Sequence, residues 1–149
     1  MNLFFYGTLK AEQVRQAVLG ARHADFAIAA AQIAGYEVRQ VSGALYPMIV
    51  ASDHAKTVSG LIMYDVDAGC VALLDRFEGE HYHRIQVAVT SGNGEEQAEI
   101  YLPDNTMTPA GLWDFDKWVR DDMERFFAED FSAAGVARPR PNSGTGKLS

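Results

Sequence analysis

Apolar and polar positions in this chain change period several times, and each change marks an element. Leu3-Phe4-Phe5-Tyr6 is a dense apolar run closed by Gly7, which predicts a short buried first strand. Ala11, Val14, Ala17 and Val18 then recur at helical spacing up to Leu19, and Gly20 supplies the stop. The Ala-rich stretch from Ala24 to Ile33 fits either period; its charged flanks and Gly35 favour a strand. Tyr36 to Val41 alternates as a half-exposed strand, Gly43 to Pro47 reads as a turn or edge segment, and Met48-Ile49-Val50 is a further short strand. Val58 to Val66 reads as a central strand in which Gly60 marks a bulge or a close backbone approach. Asp67 is a good N-cap for a helix over Ala68–Glu78, with Val71, Leu74 and Phe77 on its apolar face. From Tyr82 to Thr90 the chain alternates again: Tyr82, Arg84, Gln86 and Ala88 share one face, His83, Ile85, Val87 and Val89 the other. Ser91-Gly92-Asn93-Gly94 predicts a hairpin turn into a partner strand from Glu95 to Leu102, followed by a loop from Pro103 to Gly111. Phe115, Trp118, Val119, Met123, Phe126 and Phe127 make the clearest amphipathic helix, with an aromatic stripe that belongs to the core.

Six to seven strands joined by hairpins, with a few helices, predict an α+β fold whose largely antiparallel sheet curls into a small barrel. A length of 149 residues fits one domain, over residues 1–135. Residues 136–149 are rich in Arg, Pro, Gly and Ser and read as a flexible tail. At 48% apolar the chain can bury a core without metal or disulfides. A net charge of −7, with no basic cluster, argues against nucleic acid as a partner. No run approaches the roughly 20 apolar residues of a membrane span. The single cysteine, Cys70, falls in an apolar helical pattern, so it reads as a buried thiol in a reducing, cytoplasmic setting. Oligomeric state is not legible.

The candidate chemistry lies in DRFEGEHYHR, residues 75–84, where a predicted helix gives way to a predicted strand. Gly79 is suited to closing a helix, which puts Glu78 in the last turn, at the negative end of the helix dipole. Aromatic neighbours desolvate a carboxylate there, and both effects raise its proton affinity. Taken alone, the motif is better explained by a solvated glutamate at a helix end. Upstream, Gly7 allows close backbone approach and Thr8 adds a hydroxyl, a combination that also suits an ordinary strand-to-helix turn. Arg84 has two readings, a bidentate carboxylate binder or a structural ion pair with Asp75 or Glu80. His81 and His83 share a strand face, but no third ligand stands at a known spacing, so neither metal nor other cofactor is expected. Glu80, beyond Gly79, is expected to be solvated.

Four segments in order, FFYGTLK (4–10), ALYPMIV (44–50), VSGLIMYDV (58–66) and LLDRFEGEHYHR (73–84), resemble the γ-glutamylcyclotransferase-like family. The later GLWDFDKWVRDDMERFF (111–127) resembles the C-terminal helix of the plant avirulence-induced subgroup. Ala11 and Glu12 depart from the pattern, in which a glycine soon follows the lysine of the first loop. The resemblance implies a mixed barrel or curled sheet flanked by helices. It further implies cyclisation of an L-γ-glutamyl group to 5-oxoproline, with release of an amine or amino acid. Glu78 matches the family's acid–base glutamate, Tyr6, Gly7, Thr8 and Leu9 its substrate-cradling loop, and Tyr82 and Arg84 its Tyr-x-Arg. The implied partner is a small γ-glutamyl compound. The alternative is a noncatalytic binding or interaction module on the same fold.

Overall fold

The computed structural model describes residues 1–141; residues 142–149, the greater part of the expected tail, lie outside the described residues. Five strands close into a barrel in the order β1 (Leu3–Phe5), β5 (Thr57–Met63), β2 (Ile28–Ala34), β6 (Tyr82–Ser91) and β7 (Gly94–Pro103). Every barrel pairing is antiparallel except β1 with β7, which closes the barrel in parallel through Leu3↔Glu99 and Phe4↔Ile100. A second sheet places β3 (Tyr36–Val41) between β4 (Pro47–Ala51) and β8 (Pro109–Leu112). Three larger helices pack outside: α1 (Glu12–Leu19), α2 (Ala68–Glu78) and α3 (Phe115–Asp121). The fold is α+β with a closed antiparallel-dominated barrel.

Strand alternation sorts the core into two compartments. Phe4, Ile62, Val89 and Ile100 fill the barrel, whereas Leu3, Phe5 and Met63 point out against Val14, Leu74, Phe77 and Trp118 of the helices. Gly60 is where β1 and β5 meet most tightly: a Cβ there would lie 2.3 Å from the Phe5 carbonyl oxygen and 2.7 Å from the Phe4 ring.

Four expectations change. The stretch from Ala24 enters the barrel only at Ile28, because Gly20, at φ +62°, starts a 3-10 segment through Asp25 held by the Arg22–Asp25 and Arg22–Asp67 ion pairs. The Val58–Val66 strand ends at Met63, where Asp65 turns the chain at φ +54°. The 103–111 loop supplies an eighth strand, β8, whose exposed residues show no alternation because only its edge pairs with β3. The final amphipathic helix is broken at Asp122 (φ −122°, ψ −19°), continues as α4 (Met123–Arg125) and ends in a π-turn, Phe126–Asp130. The wider turn brings Phe126 and Phe131 both against Phe77, at centroid distances of 6.5 and 5.7 Å.

The start of the expected tail is laid back on the domain. Val136 N–H donates to Phe77 O (2.9 Å), Tyr46 OH to Ala137 O (2.7 Å) and Arg140 N–H to Gly43 O (2.7 Å). The Arg140 guanidinium pairs with Asp130, which is 2% exposed and also accepts the Leu45 N–H at 2.7 Å. Gly43 makes this possible: it sits at φ +82°, and any Cβ would collide with the Arg140 backbone. Backbone hydrogen bonds that composition does not reveal are what hold 136–141 in place.

Candidate active site

Two chain breaks, both at glycine, build the site. Gly7 ends β1 and leads into a 3-10 turn over Thr8–Lys10. A Cβ at Gly7 would lie 2.8 Å from Pro47 Cγ, so the loop rests directly on the start of β4. Arg15 of α1 fastens the other side, donating to Leu9 O at 2.9 Å and Lys10 O at 2.7 Å. N–H groups at the start of such a turn have no partner within it and are available to a ligand. The second break ends α2. Asp67 caps its N-terminus by accepting Cys70 N–H at 2.9 Å, and Gly79, at φ +84°, closes it directly after Glu78.

The breaks converge on one cleft. Tyr6, Gly7, Thr8, Leu9, Glu78 and Tyr82 line it, although the loop and the glutamate are some seventy residues apart in sequence. Phe4, Phe5, Tyr46, Pro47, Tyr101 and Val136 complete the wall. Tyr46 and Pro47 belong to the 44–50 segment that carries part of the family resemblance; Tyr101 had no signal beyond its place in an alternating strand. Tyr82 OH donates to Pro47 O at 2.8 Å and Tyr6 OH to Tyr101 O at 2.9 Å, so both phenols tie wall segments together.

Arg84 lies outside this cleft. It is half-buried on the outer face of β6, with Nε 2.7 Å from Asp75 and a second nitrogen 2.9 Å from Glu99. Of its two sequence readings, the geometry is that of the structural ion pair. The alternation that puts Arg84 on the Tyr82 face aims it at α2, where Asp75 waits. Glu80 is exposed and pairs with Arg138.

Glu78 is the unusual group. Among the described residues none donates a hydrogen bond to its carboxyl group or pairs with it. As a residue it keeps some exposure, because it borders the cleft, but its carboxyl group is packed within protein. Burial first, and then the negative charge of Asp75, push its pKa up to about 8. The tyrosines around it are held well above their ordinary range, chiefly by burial, and stay neutral. An unpaired carboxyl of high proton affinity facing a cleft is equipped to take up and return a proton.

The family described as "Gamma-glutamyl cyclotransferase, AIG2-like" matches residues 3–119. The chain belongs to this AIG2-like γ-glutamyl cyclotransferase family. Protein AIG2 A of Arabidopsis thaliana is 30% identical over 129 residues, covering 84% of this chain and 74% of the relative. Protein AIG2 C from the same plant is 32% identical, covering 84% and 76%. A solution structure of an Arabidopsis thaliana protein superposes with a TM-score of 0.63 at 27% identity over 85% of each chain. A solved structure named gamma-glutamyl cyclotransferase also reaches 0.63, covering 99% of this chain and 92% of its own. At 18% identity that likeness establishes the shared fold. The AIG2-like barrel carries Glu78 and the Gly7 loop in the lining of one cleft. No helix among the described residues is long and apolar enough to cross a membrane.

Proposed function

We propose that this AIG2-like protein is a γ-glutamylcyclotransferase that converts the L-γ-glutamyl group of a small substrate to 5-oxoproline and releases an amine or amino acid. The observation that carries the reading is the Glu78 carboxyl, unpaired among the described residues, at a pKa of about 8 and in the same cleft as the Gly7–Leu9 loop.

In this reaction the substrate's own α-nitrogen attacks its γ-carbonyl carbon. One C–N bond forms and the C–N bond to the leaving group breaks. The nucleophile is already tethered, so the protein's main task is to hold a near-attack geometry. The α-ammonium must first lose a proton. A carboxylate at about 8 accepts that proton at far less cost than an ordinary glutamate at about 4.3 would. Glu78 takes the ammonium proton and returns it to the leaving nitrogen, then relays the second proton that the attacking nitrogen sheds as the lactam forms, so the amine departs as an ammonium and the enzyme is unchanged. Negative charge building on the γ-carbonyl oxygen is met by backbone N–H groups of Gly7, Thr8 and Leu9. Tyr6 and Tyr82 bind substrate as neutral wall groups and hold the cleft's shape.

The test is incubation with γ-glutamyl amino acids, glutathione and γ-glutamyl-ε-lysine, with 5-oxoproline read by mass spectrometry. Turnover of any of them supports the enzyme. Binding to the cleft without 5-oxoproline from any of them points to a noncatalytic module on the same fold.

A further inference from the structure

The Arg84 ion pair connects directly to the wall of the cleft. Arg84 Nε and Nη2 reach the two Asp75 oxygens at 2.7 and 3.1 Å. Asp75 Oδ1 also accepts the Tyr101 hydroxyl at 2.7 Å. Tyr101 lines the cleft, and its backbone carbonyl is the acceptor that holds Tyr6. Asp75 and Glu78 are three residues apart in the last turns of α2, which makes them neighbours on its surface. The two carboxylates are treated in opposite ways. Asp75 has a cation and a phenol on it; Glu78 has no such partner among the described residues and borders the cleft.

We propose that Asp75 is a positioning residue for Glu78: clamped by Arg84 and Tyr101, it holds a fixed negative charge one helical turn behind the glutamate and anchors the Tyr101 wall of the cleft. The inference rests on the cyclotransferase reading for its purpose, though not for its measurement. A standing anion inside protein disfavours a second anion beside it, so Glu78 grips a proton harder than burial alone would make it. Burial opposes ionisation of Asp75 too, but Arg84 and the Tyr101 hydroxyl outweigh it and keep that carboxyl below its usual range. The remaining groups that face Glu78 are neutral phenols: Tyr6 from β1, Tyr46 from the segment before β4, Tyr82 from β6 and Tyr101 from β7. On the open side, the adjoining cleft carries His81 together with Glu80 and Arg138, which pair with one another. Asp75 is thus the fixed charge behind Glu78, and Arg84 tempers it from the outer surface.

Removing the anion and removing its cation must then act in opposite directions, which simple loss of a structural ion pair would not do. The test compares wild type with Asp75→Asn and Arg84→Gln by the pH dependence of kcat/KM. The same variants are titrated by NMR of the Glu78 carboxyl carbon, assigned with Glu78→Gln. Asp75→Asn should move both midpoints down, and Arg84→Gln should move both up, each by about half a pH unit or more. Glu99→Gln, which breaks the other arm of Arg84 and leaves Asp75 clamped, should shift them less than either. Midpoints that stay put, or that move the same way in both variants, overturn the proposal. If Asp75→Asn does not fold, the direction of the Arg84→Gln shift decides alone. If no γ-glutamyl compound is turned over, the cyclotransferase reading fails, while the carboxyl titration still tests the influence of Asp75 on Glu78.

Discussion

At the scale of single residues, the protein places one carboxyl group where an ordinary domain would not. Glu78→Gln preserves shape and removes the proton acceptor. It should lower turnover by about 10²–10⁴-fold with a much smaller change in substrate affinity. Glu80→Gln, on an exposed side chain paired with Arg138, should stay within a few fold of wild type; a dead Glu80→Gln would mean that the other carboxylate is the base. The wild-type rate should rise with pH through about 8, since only the ionised carboxylate accepts a proton. Stability should show the converse. The folded state holds the Glu78 proton more tightly than the unfolded chain does. Its contribution is therefore complete below the unfolded value near 4.5 and is lost as pH rises through about 8. Glu78→Gln carries no such loss, so its stability relative to wild type should grow by about 2–4 kcal/mol between pH 5 and pH 9 in urea unfolding. A flat difference would mean that the carboxylate is solvated in the folded protein.

At the scale of elements, two packing contacts hold the walls of the cleft. Trp118 is 1% exposed, meets Phe126 edge-to-face at 5.4 Å and donates its indole N–H to Leu45 O at 2.7 Å. Trp118→Ala should cost about 3–5 kcal/mol, because it opens a large cavity and orphans a carbonyl one residue from Tyr46. A near-unchanged melting curve would show that α3 packs loosely. Gly60 does a similar service between β1 and β5. Gly60→Ala pushes a methyl group into the Phe5 carbonyl and the Phe4 ring and should destabilise by about 1–3 kcal/mol or more. Both phenylalanines line the cleft, so activity should fall along with stability in that variant.

At the scale of the whole molecule, the C-terminal strap joins parts that are far apart in sequence: Gly43 and Tyr46, Phe77 at the end of α2, and the buried Asp130. A chain ending at Ala134 should lose roughly 1–3 kcal/mol, since Asp130 loses its cation and Phe77 O and Tyr46 OH lose partners. Melting and denaturant curves would register this, and an unchanged midpoint would show that the strap contributes nothing. Nothing in the Arg- and Pro-rich composition of 136–141 foretells the docking, because it runs through backbone groups, the Tyr46 hydroxyl and one buried carboxylate supplied by other elements. The same division holds for the rest of the molecule. Local pattern sufficed where the information is local: the α2 boundaries from Asp67 to Gly79, the β6–β7 hairpin, and the alternation that separates barrel interior from helix-facing residues. It also placed Glu78 in a last helical turn before Gly79, with Gly7 at the end of a buried strand. What depended on distance through space was decided by the tertiary structure. Closure of β1 on β7 brings Tyr101 beside Tyr6, β8 finds its strand partner in β3 rather than in its own alternation, and Asp75 draws Arg84 out of the cleft. The proton affinity of Glu78 belongs to this second class: a side chain's pKa follows from what surrounds it, and its surroundings come from five separate segments of the chain.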